Sequence, residues 1–369
     1  MLEINSKDKR INDIAEINRI CIRNNRPVVI LGGGTYGRAI AQCLKEQGLK
    51  APVKFTVDDE YITDEQKKAG MLPFSEYLEK FSSTTPLVFG FYNYEIIMKK
   101  REQHKNDIPY MFDFHYTVLN DIRVDWSYDY IISHIREFSE TYNMLSNEES
   151  KATMQAYLNA AVAGEFHELY TKHVDKIPYF NEKLVGRRID RLFDCGAYDG
   201  DSAHDFIAVF PEYEHIFEFE PDRANVEKIN SRIKNENIRN LTIIEKGVWS
   251  ETTTLSFISE GKSSSTVADE GDVSIEVIKL DDMFDKFTRN SLIKMDIEGS
   301  ELEALKGAAR VISEISPALT ICIYHKKEDI ITIPQYINSL VKPGTYDYYV
   351  GYQGLDLAEF VFYALPKIK

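Results

Sequence analysis

Positive charge is in short supply in this sequence. Its 369 residues set 44 Lys and Arg against 59 Asp and Glu, for a net charge of −15 and a pI near 5.1. A polyanionic partner such as DNA or RNA needs a basic footprint, so nucleic acid is excluded as a partner. Cysteine is scarce as well: Cys21, Cys43, Cys195 and Cys322 lie far apart with no C-x-x-C pair. That spacing excludes a disulfide framework and a zinc signature, and it fits a reducing compartment. Long apolar runs are also missing. No stretch nears the ~18 apolar residues of a membrane span, and "MLEINSKDKR" has no apolar h-region. The expectation is a cytoplasmic protein with no membrane span.

What is present is an ordinary globular balance, 43% hydrophobic and 28% charged residues, at a length that suits two domains. Ile11, Ile14, Ile17 and Ile20 or Cys21 recur at helical spacing and predict an opening helix. Strand "PVVIL" then runs into a glycine turn and a helix that stops at Gly48. Strands "VKFTV" and "PLVFGF" and the segment "IPYMFDF", separated by helical stretches, continue a βα alternation to about residue 120. A polar, helix-patterned stretch with many aromatics follows to about 185, and a second alternation begins with "RLFDCG". The predicted fold is therefore α/β, with two doubly wound Rossmann-like domains, at 1–120 and 186–369, joined by a helical connector at 121–185.

The stretch "FDCGAYDGDS" places Asp194, Gly196 and Gly200 between a strand and a helix, so that backbone can approach a ligand at the strand's carboxyl end. Dinucleotide sites and S-adenosylmethionine sites are both built this way, and charge separates them. From Phe193 to Asp222 there are nine carboxylates and no Lys or Arg. Pyrophosphate would be repelled there, and a ligand carrying a sulfonium and an ammonium attracted. Glu220, in "FEFEPD" about 25 residues after the first glycine, is placed to hold two ribose hydroxyls. Asp194 is placed to hold the methionine ammonium, directly or through water. Ser202, just inside the helix, is placed to meet the methionine carboxylate, where anions are favoured.

These pieces resemble the FkbM family of S-adenosylmethionine-dependent methyltransferases. "FDCGAYDGDS", "FEFEPD", "GVWSETTTLSF", "IKLDDM", "LIKMDIEGSELEALKGA", "PALTICIYH" and "FVFYALP" occur in family order from about residue 140 to the end. The resemblance implies a seven-stranded class I methyltransferase sheet in the C-terminal domain and methyl transfer to a hydroxyl oxygen. It also implies acceptors among sugars, glycans and secondary metabolites.

At the reacting end, Asp296 and Glu298 close a strand, and Ser300 with Glu303 matches an S-x-x-E capping box. Asp296 sits where class I enzymes contact the ligand or activate the acceptor. His325 falls at the end of the adjacent strand, so the two side chains are expected to converge. An alcohol attacking a methyl group must lose its proton, and a histidine base contributes about 10²–10⁴-fold to such a step. The same pair could instead hold Mg²⁺ or another divalent ion. Two ligands are too few to define that site, so a metal is left open and not predicted.

The first domain carries Gly32-x-Gly34-x-x-Gly37 after a strand, with Asp58 about 21 residues beyond the third glycine. This loop holds no acid and ends in Arg38, which suits phosphate. It resembles oxidoreductase Rossmann domains and the nucleotide-sugar-binding domains of bacterial sugar acyltransferases. No Tyr-x-x-x-Lys pair follows within that domain, which argues against hydride transfer. The expected function is S-adenosylmethionine-dependent O-methylation of a sugar or nucleotide sugar destined for a surface glycan. The rivals are a lipid or secondary-metabolite acceptor, and a non-catalytic nucleotide-sugar-binding protein. Oligomeric state, including a homo-oligomer, is left open.

Overall fold

Short buried strands open the fold: β1 (Val28–Leu31), β2 (Val53–Val57), β3 (Leu72–Pro73), β4 (Leu87–Phe89) and β5 (Met111–Asp113). In the computed structural model they form one parallel sheet in the order β3-β2-β1-β4-β5. β1 and β4 are buried at every position, as expected of parallel strands covered on both faces; this is why they read as apolar runs without alternation. Helix Lys9–Asn24 lays Ile14, Ile17, Ile20 and Cys21 against one face. The strand order reverses between β1 and β4, where doubly wound sheets open a ligand crevice. The structure describes all residues except 6–8, 92, 115–127, 164–165, 173–178, 181–182, 185, 259–265, 268–272, 355–356 and 369. The expected boundary at 120–121 and the end of the connector at 185 lie outside the described residues.

The second half contributes β6 (Arg191–Cys195), β7 (His215–Phe219), β8 (Leu241–Ile244), β9 (Gly247–Val248), β10 (Thr253–Ile258), β11 (Thr266–Val267) and β12 (Val273–Ile278). It ends with β13 (Ser291–Met295), β14 (Ala318–Cys322), β15 (Tyr346–Tyr352) and β16 (Phe360–Pro366). Seven of these strands form one sheet in the order β15-β16-β14-β13-β6-β7-β8. The pairs from β14 through β8 are parallel, whereas β16 runs antiparallel to both β14 and β15. That is the expected seven-stranded class I arrangement. The short strands β9 to β12 make a separate small sheet beside it.

Helices Tyr128–Ser133, Ile135–Met144, Glu148–Ala163 and Phe166–Tyr170 occupy the expected connector. They share the core of the seven-stranded sheet. Phe138, Tyr157 and Leu158 are buried in it, and the Tyr157 ring stacks on Phe360 at 4.1 Å. Ser146 N–H donates to Tyr348 O at 2.8 Å, which fastens the segment to β15. Among the described residues no helix is long and apolar enough to cross a membrane.

Candidate functional site

β6 ends on Asp194 and Cys195, and the chain then turns sharply. Gly196 (φ +86°) and Gly200 (φ +82°) adopt left-handed conformations, as does Tyr198 (φ +50°) between them. A Cβ on Gly196 would come within 2.0 Å of Asp296 O, so the glycine lets the ends of β6 and β13 touch. Gly200 caps helix Asp201–Val209. Glu220, at the end of β7, accepts from Tyr198 N–H and Asp222 N–H, both at 2.9 Å. Its carboxylate is thereby aimed at the loop and nearly buried. Ser202 is buried, and its N–H donates to Asp201 Oδ1 at 2.7 Å, so the acid of the helix's first turn already engages that amide.

Beneath this loop a polar row crosses the sheet. Strand register sets Glu218 of β7 beside Asp194 of β6, and Asp194 beside Lys294 of β13. All three side chains are buried. Lys294 Nζ lies 3.0 Å from Asp194 Oδ1, donates to Gly196 O at 2.8 Å and sits 5.0 Å from the Tyr179 ring centre. Burial pushes the Asp194 carboxyl up to about 6 despite Lys294, and burial with Asp194 pushes Glu218 up to about 8. Among the described residues neither Glu218 oxygen has a hydrogen-bond partner. Asp194, expected to reach the methionine ammonium, is fully buried and paired with Lys294. The count of nine acids without a cation also holds only along the chain. The fold brings Lys294 to Asp194, and it brings Arg232 to Asp199 at 3.1 Å.

At the adjoining strand ends Asp296 and His325 converge as expected. His325 Nε2 lies 3.4 Å from Asp296 Oδ1 and 3.7 Å from Glu298 Oε2; Nδ1 lies 2.9 Å from Glu301 Oε1. Tyr179 Oη donates to Asp296 Oδ2 at 2.8 Å and to Glu359 Oε2 at 3.4 Å, and Tyr324 Oη donates to Asp296 Oδ1 at 3.5 Å. Burial raises the Asp296 carboxyl, but Lys294, His325 and the Tyr179 hydrogen bond outweigh it and leave it below its ordinary value. Burial lowers the His325 imidazole, but Glu301, Asp296 and Glu298 outweigh it and lift it to about 9. Tyr179 (φ +68°), Glu298 (φ +54°) and Glu359 (φ +56°) are non-glycine residues held left-handed around this one carboxylate. Such conformations each cost roughly 1–3 kcal/mol and cluster at functional sites.

One local expectation fails. Helix Glu301–Lys306 starts at Ser300 without a side-chain cap hydrogen bond, so the capping box with Glu303 does not form. The left-handed pair Glu298–Gly299 turns the chain so that Glu301 Oε1 takes the Ile297 N–H at 2.9 Å, and Glu303 pairs with Lys306 instead.

In the first domain the three glycines do different things. A Cβ on Gly32 would meet Gly90 O at 2.8 Å, and one on Gly37 would meet Gly32 O at 2.0 Å, so both serve close packing. A Cβ on Gly34 would meet nothing within 4 Å, and Gly34 caps helix Thr35–Glu46. Asp58 is paired with Lys100 at 2.7 Å, and Asp59 receives Ser75 N–H at 2.9 Å.

Comparison with known proteins bears on the second half directly. Residues 194–342 match the model of the Methyltransferase FkbM domain. Residues 194–342 form an FkbM methyltransferase domain. The methyltransferase FkbM of Methylobacillus flagellatus KT has a similar structure, with a TM-score of 0.70 at 22% identity over 95% of this chain and 93% of that one. At that identity the likeness establishes the fold across nearly the whole chain. Two other solved structures superpose on about half of it. They are a putative caffeoyl-CoA O-methyltransferase from Staphylococcus aureus (10% identity, 55% of this chain and 90% of that one, TM-score 0.34) and an rRNA methylase from Streptococcus thermophilus (12%, 50% and 89%, 0.32). Neither is close enough to carry an argument. No curated protein matches the chain.

The FkbM segment contains Asp194, Gly196, Gly200, Ser202, Glu220, Asp296 and His325, but Tyr179 and Glu359, which close around Asp296, lie outside it. Sequence reasoning missed both, together with Lys294, Glu218 and Glu301. A signal existed for Lys294 and Glu218. Each is a charged residue in the middle of an apolar parallel strand, "SLIKM" and "HIFEF", where a charge is buried on either face. Tyr179 had no such signal.

Proposed function

We propose that this methyltransferase uses S-adenosylmethionine and methylates a hydroxyl oxygen of a sugar or nucleotide sugar. The observation that carries the reading is the close approach of Gly196 to Asp296, which sets the glycine loop directly beside the Asp296–His325 pair. The residues present fit the methyl donor. Two buried acids, Asp194 and Glu218, share one lysine under the loop, and both Glu218 oxygens lack hydrogen-bond partners among the described residues. While Glu218 keeps its proton, the row of Asp194, Lys294 and Glu218 carries no net charge, and attraction for a cation comes from the acids around the loop above it. Glu220 would hold the ribose, and Ser202 at the start of helix Asp201–Val209 would meet the methionine carboxylate in exchange for its contact with Asp201. Asp194 acts there through its field and through Lys294.

When bound, S-adenosylmethionine supplies a methyl group on a positively charged sulfur. An acceptor hydroxyl that took this methyl group, releasing the demethylated donor, would have to give up its proton to the protein. With His325 lifted to about 9 and Asp296 held below its ordinary value, Asp296 is the ionised member of the pair and would receive the proton, with His325 Nε2 3.4 Å away. Tyr179 fixes the other oxygen of Asp296. In the first domain, Gly34 faces open space at a helix start beside the strand-order reversal, which supports binding of a nucleotide or nucleotide sugar there. Lys100 holds Asp58, so a ribose hydroxyl would share that carboxylate.

The test is to incubate the full chain with methyl donor and a panel of nucleotide sugars and free sugars, reading a one-methylene mass gain. Asp296→Asn should lower turnover by about 10²–10⁴-fold while keeping donor affinity. No product from any sugar, or an undiminished rate in the variant, would overturn the reading.

A further inference from the structure

We infer that Asp296, Glu298 and His325 bind a divalent metal ion, with Glu301 orienting the histidine. The His325 side chain is 6% exposed, and among the described residues neither of its ring nitrogens has a partner in hydrogen-bond geometry. Yet Nε2 faces two carboxylate oxygens, Asp296 Oδ1 at 3.4 Å and Glu298 Oε2 at 3.7 Å. These separations are long for direct hydrogen bonds and right for ligands that share an ion. Two donors each about 2.1 Å from one metal lie about 3.4 Å apart at the tetrahedral angle and about 3.6 Å apart at about 120°, so the Asp296 pair fits the first angle and the Glu298 pair needs the wider one.

Asp296, Glu301 and His325 each offer a donor atom within 4.8 Å of the others. Glu301 nevertheless sits on the wrong side to be a ligand. Its Oε1 lies 2.9 Å from Nδ1, and one imidazole presents one nitrogen to one ion. Glu301 is also fully buried, whereas Asp296 and Glu298 are 26% and 34% exposed and face the opening. Glu301, 2.9 Å from Nδ1, therefore stands where the outer carboxylate of a metal-bound histidine stands, and that leaves Nε2 to ligate. Its own position is pinned by the Ile297 N–H. The left-handed pair Glu298 (φ +54°) and Gly299 (φ +89°) turns the chain back so that the Glu298 carboxylate reaches His325.

One imidazole and two carboxylates suit a first-row divalent transition ion such as Mn²⁺. With the ion bound, Asp296 Oδ1 and His325 Nε2 would be ligands and not proton acceptors, and an acceptor hydroxyl at a remaining position would be acidified by the ion instead. That role rests on the methyl-transfer reading; the site itself does not.

The experiment uses the full chain, stripped with chelator and titrated with Mn²⁺ without methyl donor or acceptor. Free aqueous Mn²⁺ is counted by electron paramagnetic resonance. One ion per chain should bind with a submillimolar Kd. Glu298→Gln, on a partly exposed turn, should weaken binding at least tenfold with an unchanged circular dichroism spectrum. Glu301→Gln should weaken it by about 10–100-fold, the cost of losing an outer carboxylate. Absence of binding at millimolar Mn²⁺, or unchanged affinity in Glu298→Gln, would overturn the inference. Mn²⁺ binding without methylation of any acceptor would leave the site standing and remove the methyl-transfer reading. Methylation by a chain that binds no Mn²⁺ would do the reverse.

Discussion

Glu218→Gln is a perturbation whose sign follows from the buried row. The folded chain holds the Glu218 carboxyl at about 8, against an ordinary 4.5, because burial and the neighbouring Asp194 disfavour its charge. Below the ordinary value both folded and unfolded chains keep the proton, and the group costs nothing. Between the two values the folded chain holds a proton that the unfolded chain has released. Unfolding free energy then falls with rising pH by up to about 1.4 kcal/mol per unit. From pH 5 to pH 7 the loss from this group is roughly 2–3 kcal/mol, and above the folded value the penalty is complete. Glutamine keeps the shape and cannot ionise. Its buried amide adds a cost of about 1–3 kcal/mol that does not vary with pH. The intercept is therefore uninformative and the slope decides. Urea denaturation of both proteins at several values from pH 5 to pH 8 should show the variant gaining on wild type throughout. Parallel profiles would refute the reasoning and mean that Glu218 is ionised in the folded chain or is solvated.

Lys294→Met should destabilise the C-terminal domain by about 3–5 kcal/mol, the cost of leaving a buried acid without its partner, and the loss should shrink at low pH as Asp194 takes up a proton. Thermal melts at pH 5 and pH 7.5 check both statements. In the first domain Gly37→Ala and Gly34→Ala should part company. The first forces a Cβ to within 2.0 Å of Gly32 O and should lower the melting temperature, whereas the second meets nothing within 4 Å and should leave it near wild type. Equal effects would remove the reading of Gly34 as an open, ligand-facing position.

Much of the architecture was legible because parallel strands buried on both faces leave apolar runs, as in "VVIL" and "ALTIC", and glycines mark the turns after them. The convergence of Asp296 and His325 was legible too, since both end adjacent strands. What stayed hidden depends on register or on distant segments. Asp194 looked available to a ligand until β13 placed Lys294 beside it. Tyr179 reaches Asp296 from 117 residues away, a separation that no local pattern encodes. The Ser300 capping box failed because two left-handed residues just before it redirected the turn and gave the capping work to Glu301.

The central claim, that the loop between Asp194 and Ser202 and the end of β7 hold the methyl donor, is tested most directly by calorimetric titration of S-adenosylmethionine into the full chain and into Glu220→Ala. Glu220 is held in place by Tyr198 N–H and Asp222 N–H and is the acid aimed at the loop. One donor per chain should bind wild type, and the variant should bind it more weakly by roughly 1.5–3 kcal/mol, about 10–100-fold. Absence of binding to wild type, or the same affinity in both proteins, would contradict the account.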